Sequence, residues 1–198
     1  RFRITGDLRP GSPRARRGFG PDVKRPAWMS RSLAYAIAAG LVGWLANGYV
    51  LRVREDLRFV FGGVFAMLSV VLDRPVHGVL AAGIAASRTV FLWHHPIGLI
   101  LSLCEAASIG TLVRRGWNTL SAAGLFWLAF GTPLTMVTLF YAFGQSETAA
   151  WTIAVKYGVN ALLNLLLVEF LLTMPVVGSM IRRVWPTGGA RSLRSRIL

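Results

Sequence analysis

Six apolar runs fill most of the chain, roughly 31–51, 58–72, 77–93, 97–113, 120–143 and 151–174, and they constrain the fold before any single residue does. A helix that crosses a bilayer needs about 20 predominantly apolar residues. The first, fifth and sixth runs approach that length. The second to fourth are shorter and meet at tight joints, "DRPVHG" and "HHP", so they either stand upright in a locally thinned bilayer or fail to span it. Hydrophobic residues make up 54% of the 198 positions, charged residues only 15%, and mean hydropathy is +0.54. That is more apolar surface than one soluble domain of this size can bury. The expected fold is all-α: a polytopic transmembrane bundle of about six helices with both termini cytoplasmic, four helices being the lower bound.

Net charge is +14, and its placement matters more than its size. Arg1, Arg3, Arg9, Arg14, Arg16, Arg17, Lys24 and Arg25 precede the first run; Arg182, Arg183, Arg191, Arg194 and Arg196 come after the last. Basic residues beside membrane spans mark the cytoplasmic side and meet anionic lipid, so membrane lipid is the expected partner and nucleic acid is not. Six spans also put "RRGW" inside and "GQSETAAW", which lacks Lys and Arg, outside. "LRVRED" runs against the rule, because the same topology puts Arg52, Arg54 and Arg58 outside, offset only in part by Glu55 and Asp56. Residues 1–30 read as a basic, disordered tail, 31–174 as the membrane domain, and 175–198 as a basic exit to a further module. The chain opens on Arg, with Met29 just before the first run, and its start and end are expected to differ from those of the native product. The first thirty residues hold no apolar core of a signal peptide.

Four ionisable residues fall within apolar runs: Arg88, Glu105, Lys156 and Glu169. Their charges sum to zero, as pairing would require where an isolated charge is costly. Arg88 and Glu105 flank the bend at Pro96 at similar distances, which predicts an ion pair between antiparallel helices. Glu105 is the alternative counter-charge for Lys156. In "KYGVNALLN", Lys156, Asn160 and Asn164 recur at i, i+4 and i+8. At about 100° per residue they share one helical face, drifting only about 40° per step. Such groups must turn away from lipid. They either bond neighbouring helices or line a buried cavity, and three on one face favour the cavity.

Other features are read the same way. Pro133, just after Gly131 in the fifth run, predicts a kink or break, and a break beside the polar stripe would form a pocket. The first run carries two small-residue faces, Ala34, Ala38, Val42 and Ala46 on one and Ala36, Gly40 and Trp44 on the other, both suited to close helix packing. Trp93 suits a membrane interface; His94 and His95 beside it point in different directions and do not make a metal site alone. Cys104 has no disulfide partner. "FGGVFA" is a helix-packing feature, and no phosphate loop, zinc spacing or Ser/His/Asp set is seen. The chain is not expected to be an enzyme, and no metal or cofactor is implied.

In order, "FVFGGVFAMLSVVL", "AASRTVFLWHHPIGLILSLCEAASIGTLVRR", "LFWLAFGTPLTMVTLFY" and "IAVKYGVNALLNLLLVEFLL" resemble the N-terminal multi-pass membrane domain of bacterial sensor histidine kinases and diguanylate cyclases. The resemblance covers about residues 58–173 and points to Trp93, His95, Pro96, Glu105, Trp127, Gly131, Pro133, Lys156, Asn160 and Asn164 as the residues that carry the site. Tyr157 stands where that family tends to have Gln, and the leucines around Asn164 replace a more usual "FNA". The outline is also similar to the substrate-binding subunits of energy-coupling-factor vitamin transporters, in which an A-x-x-x-A face docks the transmembrane partner; Ala34, Ala38 and Ala46 would serve here. The resemblance implies a sensory, ligand-binding domain in the bacterial inner membrane, either a homodimer or coupled to a cytoplasmic signalling module. The alternatives are a transport subunit working with a transmembrane coupling partner and its ATPases, and a purely structural membrane subunit. Arg88 completes the predicted ligand or coupling set.

Overall fold

The computed structural model describes residues 27–49, 51–54 and 57–184. Residues 1–26 and 185–198, with most of the expected tail and exit and their basic clusters, lie outside the described residues, as do Glu55 and Asp56. The described residues are helical apart from one short hairpin and the joints.

Helix α1 (Ala27–Ala46) leads into an antiparallel hairpin of β1 (Leu51–Arg54) and β2 (Leu57–Phe59), with Leu51 opposite Phe59. Helices α2 (Gly62–Leu72), α3 (Pro75–Trp93) and α4 (Ile97–Arg114) come next, with joints of two or three residues. Proline punctuates both joints: Pro75 opens α3, where its missing N–H costs nothing, and Pro96 caps α4. Between α3 and α4, His94 adopts φ 55°, a left-handed conformation that reverses the chain without a glycine. Helices α5 (Thr119–Phe126) and α6 (Thr132–Val137) are halves of one rod, Thr119–Ala142. Asn118 caps it, accepting from the Leu120 and Ser121 N–H groups. Helix α7 (Glu147–Thr173) has Ser146 as its cap and Glu147 in its first turn, and α8 (Pro175–Val184) succeeds it.

Four helices are long and apolar enough to cross a membrane: Pro75–Trp93, Ile97–Arg114, Thr119–Ala142 and Glu147–Thr173. The apolar part of α1, Arg31–Ala46, and α2 are shorter. The third and fourth runs are therefore longer than expected. The first is shorter, because the helix ends ahead of "NGYV" and the chain then turns into the hairpin.

The predicted break at Pro133 does not form. A wide π-helical turn, Trp127–Gly131, precedes it, and the backbone stays right-handed helical at Gly131 (φ −61°, ψ −50°) and Thr132 (φ −65°, ψ −50°). One extra residue in the π turn accommodates the proline ring, and the helix continues through it. The Thr135 and Thr138 hydroxyls donate to the carbonyls of Gly131 and Leu134, both at 2.7 Å. Pro133 itself is exposed on the outer surface of the bundle.

Of the two small-residue faces on α1, the one through Ala36 and Gly40 is buried and continues through Gly43 to Asn47. A Cβ at Gly43 would lie 2.7 Å from the Gly62 carbonyl oxygen and 2.8 Å from Ala85 Cβ, so this helix meets α2 and α3 backbone to backbone. Asn47 locks the contact, accepting from the Gly62 N–H at 2.7 Å and donating to the Ala85 carbonyl at 2.8 Å. Ala34 and Ala38 face outward, and Ala46 is half-buried. The apolar core proper gathers Ile109, Leu165 and Val168 from α4 and α7 against α2.

One end of the bundle carries a cluster that sequence spacing did not reveal. Ser32 of α1 donates to Asp73, and His77 Nδ1 lies 2.9 Å from Asp73 Oδ2 and 3.1 Å from Ser32 Oγ. Arg114 of α4 donates to the Asp73 carbonyl at 2.9 Å. Serine and aspartate share one ring nitrogen, whereas a nucleophilic triad uses both, so the arrangement ties α1, α3 and α4 and does not activate the serine. Burial opposes ionisation of Asp73, but hydrogen bonds from Ser32, the Arg74 N–H and His77 outweigh it and hold the carboxyl below its ordinary 3.8. Its folded value is depressed, so its contribution is present above pH 3.8 and is lost as pH falls through the lowered value. Asp73→Asn is therefore expected to lower stability at neutral pH by roughly 1 kcal/mol, with screening keeping the effect modest. Unfolding curves of the two proteins in detergent should converge as the pH is taken below 3.8.

Candidate functional site

The polar stripe of α7 lies against a stretch of the membrane domain that has no helical ladder of its own. Val60 sits between β2 and α2, and the first amide bond of α2 reaches back only to Phe61. Asn160 Oδ1 accepts from the Val60 N–H at 3.1 Å, and Asn164 Nδ2 donates to the Val60 carbonyl at 3.3 Å. Two asparagines one helical turn apart thus satisfy both halves of one residue's backbone, which an apolar bundle could not leave bare. Gly63 makes the approach fit, since a Cβ there would stand 2.5 Å from Asn164 Nδ2.

Beyond this clamp the helices part around a cavity of ≈ 70 Å³ walled by α2, α3, α4, the Trp127 turn and α7. A water occupies on the order of 10–15 Å³ on this measure, so the space admits several waters or a compact ligand. Small residues of α3 and α4, Ala82, Ala86 and Gly98, leave the room; Glu105, Trp93, Trp127, Tyr157, Asn160 and Asn164 give it chemistry.

Glu105 is 7% exposed and accepts from Trp127 Nε1 at 2.9 Å. Trp127 reaches it from the π turn, where Gly131 and, across on α7, Gly158 leave space for the indole; a Cβ at those positions would lie 2.7 and 3.5 Å from the ring. Asn164, 5% exposed, keeps its Oδ1 buried without a hydrogen-bond partner. The assignment of its amide is fixed by chemistry: the Val60 carbonyl can only accept, so nitrogen must face it and oxygen must face away.

Trp93 meets Tyr157 edge-on at 5.7 Å, and Lys156 Nζ lies over both rings at 5.4 and 5.2 Å. His95 stacks on Trp93 at 6.3 Å and meets Phe143 at 5.4 Å, beside the cavity and not in its wall. Its burial, assisted by the Lys156 charge and opposed by a backbone hydrogen bond, pushes its pKa below the ordinary 6.5.

The predicted Arg88–Glu105 ion pair is absent. Arg88 lies 4.4 Å over the Trp44 ring of α1, with its Nε buried and unbonded, while Glu105 points to Trp127. Equal depth did not ensure equal azimuth: Arg88 occupies the α1 side of α3 and Glu105 the α5 side of α4. Lys156 turns to the Trp93 and Tyr157 rings and not to Glu105, and the close contact between a basic side chain and a carboxylate is that of His77 with Asp73. Of the predicted set, Trp93, Glu105, Trp127, Asn160 and Asn164 share the cavity, whereas Arg88, His95, Pro133 and Lys156 do not line it. Asn47 and Tyr157 line it without having been singled out for the site. The signal for Asn47 was a lone amide ahead of Gly48 at a helix end, which reads equally well as a cap. No group of His, Cys, Asp and Glu that could hold a metal occurs among the described residues. No protein-family model matches the chain, and no curated protein matches it.

Proposed function

We propose that the protein is a membrane-embedded sensory domain that binds a small ligand in the cavity between α2, α3, α4, the Trp127 turn and α7 and passes its occupancy to a cytoplasmic output module. The observation that carries this reading is the buried Asn164 Oδ1, an acceptor without a partner on the wall of a cavity that also holds Glu105. Polar groups in a bundle's interior favour a site over packing when they converge on space and not on each other. A ligand there touches helices from both ends of the sequence. It would therefore bias how α7, which leads to α8, packs on the rest. The home we propose is the bacterial inner membrane, with six membrane-embedded helices and both termini inside.

The test is thermal unfolding of the purified chain in detergent with and without the low-molecular-weight fraction of a cell extract. A ligand at 100 times its Kd adds about 2.7 kcal/mol, or roughly 5–10 °C for a chain of this size. Wild type should gain stability and Ala86→Leu, which fills the cavity, should not. No gain in wild type would remove the reading.

A second reading, the substrate-binding subunit of a transporter, is favoured by the outward face of Ala34 and Ala38 on α1. In that case Ala34→Trp with Ala38→Trp would abolish co-purification with an ATPase-coupled membrane partner while leaving the thermal gain intact.

A further inference from the structure

Glu105 is the one carboxyl among the residues lining the cavity and sets its charge sense, while Asn160, whose oxygen accepts from the Val60 N–H, keeps its amide nitrogen as a donor. Asn164 commits its amide nitrogen to Val60 and presents oxygen. Glu105 presents a carboxyl group whose partner, Trp127 Nε1, is a neutral donor, and it forms no ion pair among the described residues. The indole donor of Trp127 is already engaged by that contact. Rings of Trp93, Trp127 and Tyr157 also line it. A buried carboxyl is costly to ionise without a cation, and a cation arriving with its own N–H donors removes that cost while completing Asn164. The Trp127 ring adds attraction for the same charge, whereas Trp93 and Tyr157 already have Lys156 Nζ over them. Lys156 is not in the wall; its Nζ sits over the Trp93 and Tyr157 rings.

We infer, on the ligand-binding reading above, that the cavity selects a compact organic cation, an alkylammonium, amidinium or guanidinium group, whose N–H donors meet Asn164 Oδ1 and the Glu105 carboxylate. The acceptors are separated along different helices, Asn164 on α7 and Glu105 on α4, so a ligand with two donor directions bridges them where a single-atom ion cannot. The volume of ≈ 70 Å³ limits the bound group to a few heavy atoms.

The experiment titrates the purified chain with methylguanidinium chloride, N-methylurea and sodium acetate at ionic strength held constant with sodium chloride, reading tryptophan emission. Methylguanidinium should saturate at a concentration at least about tenfold below N-methylurea, and acetate should give no saturable change. Glu105→Gln, which keeps an oxygen for Trp127, should weaken methylguanidinium by about tenfold or more and N-methylurea by clearly less. Equal or tighter binding of N-methylurea or acetate would overturn the cation assignment and leave the cavity reading standing. So would silence of all three probes in a protein that the extract fraction still stabilises. Silence of the probes together with no stabilisation by the extract would end both.

Discussion

Gly62→Leu is expected to prevent accumulation of the folded protein. The Cβ position of Gly62 falls on the Gly43 carbonyl oxygen and the Asn47 side chain, so even alanine has no room and leucine must drive α1 away from α2. Backbone atoms cannot yield as the end of a flexible side chain can. Separation also breaks both hydrogen bonds of Asn47, leaving the Gly62 N–H and a buried amide unsatisfied. Overpacking and lost polar pairing together should exceed about 4 kcal/mol, enough to consume most of a typical domain's stability. Size-exclusion profiles of membranes solubilised in mild detergent should show a folded peak for wild type and only aggregate for the variant. Gly124→Leu is the control, because a Cβ there meets nothing within 4 Å.

The second large effect is expected from Asn160→Leu combined with Asn164→Leu. Both side chains of the clamp vanish, and the Val60 N–H and carbonyl lose the partners they have. Each unsatisfied backbone group costs about 1–3 kcal/mol in a protein interior, and water cannot compensate at membrane depth. The pair of changes should therefore cost roughly 2–6 kcal/mol, more than the sum of typical interhelical side-chain bonds. Each single variant tells more. Asn160→Leu orphans a donor and Asn164→Leu an acceptor, and a carbonyl, with two lone pairs, tolerates the loss better. Unfolding in detergent should accordingly show Asn160→Leu costing at least as much as Asn164→Leu, although Asn164 is the more buried of the two. Equal stability of the double variant and wild type would mean that Val60 finds other partners.

The helical class and the interior polar stripe were legible because both rest on periodicity. Apolar runs and an i, i+4, i+8 spacing survive any arrangement of neighbours. Partners were not legible in the same way. Arg88 and Glu105 matched in charge and depth, yet which way each turned was decided by Trp44 and Trp127, residues far away in sequence. The stripe itself held a similar surprise. Asn160 and Asn164 line the cavity, but each spends one group on Val60, a contact across a hundred residues that no local pattern announces. Pro133 misled for a different reason. A proline in a helix implies a defect, and the defect here is a π turn one step upstream that keeps the helix continuous and turns Trp127 inward. Ser32, Asp73 and His77 escaped notice because three helices had to pack before their spacing meant anything. On α1 the sequence offered two equivalent faces; Gly43 and Asn47, lying along only one of them, explain which turned inward.

The central claim is that the space beside Asn164 and Glu105 is a binding site and not a packing defect. Filling a packing defect with a larger apolar side chain stabilises a protein and changes nothing else. Native mass spectrometry of the protein released gently from its own membranes, wild type beside Ala86→Leu, distinguishes the two most directly. Wild type should carry a small-molecule adduct that Ala86→Leu, equally folded, has lost. Bare protein in both samples, or the same adduct in both, would contradict the account.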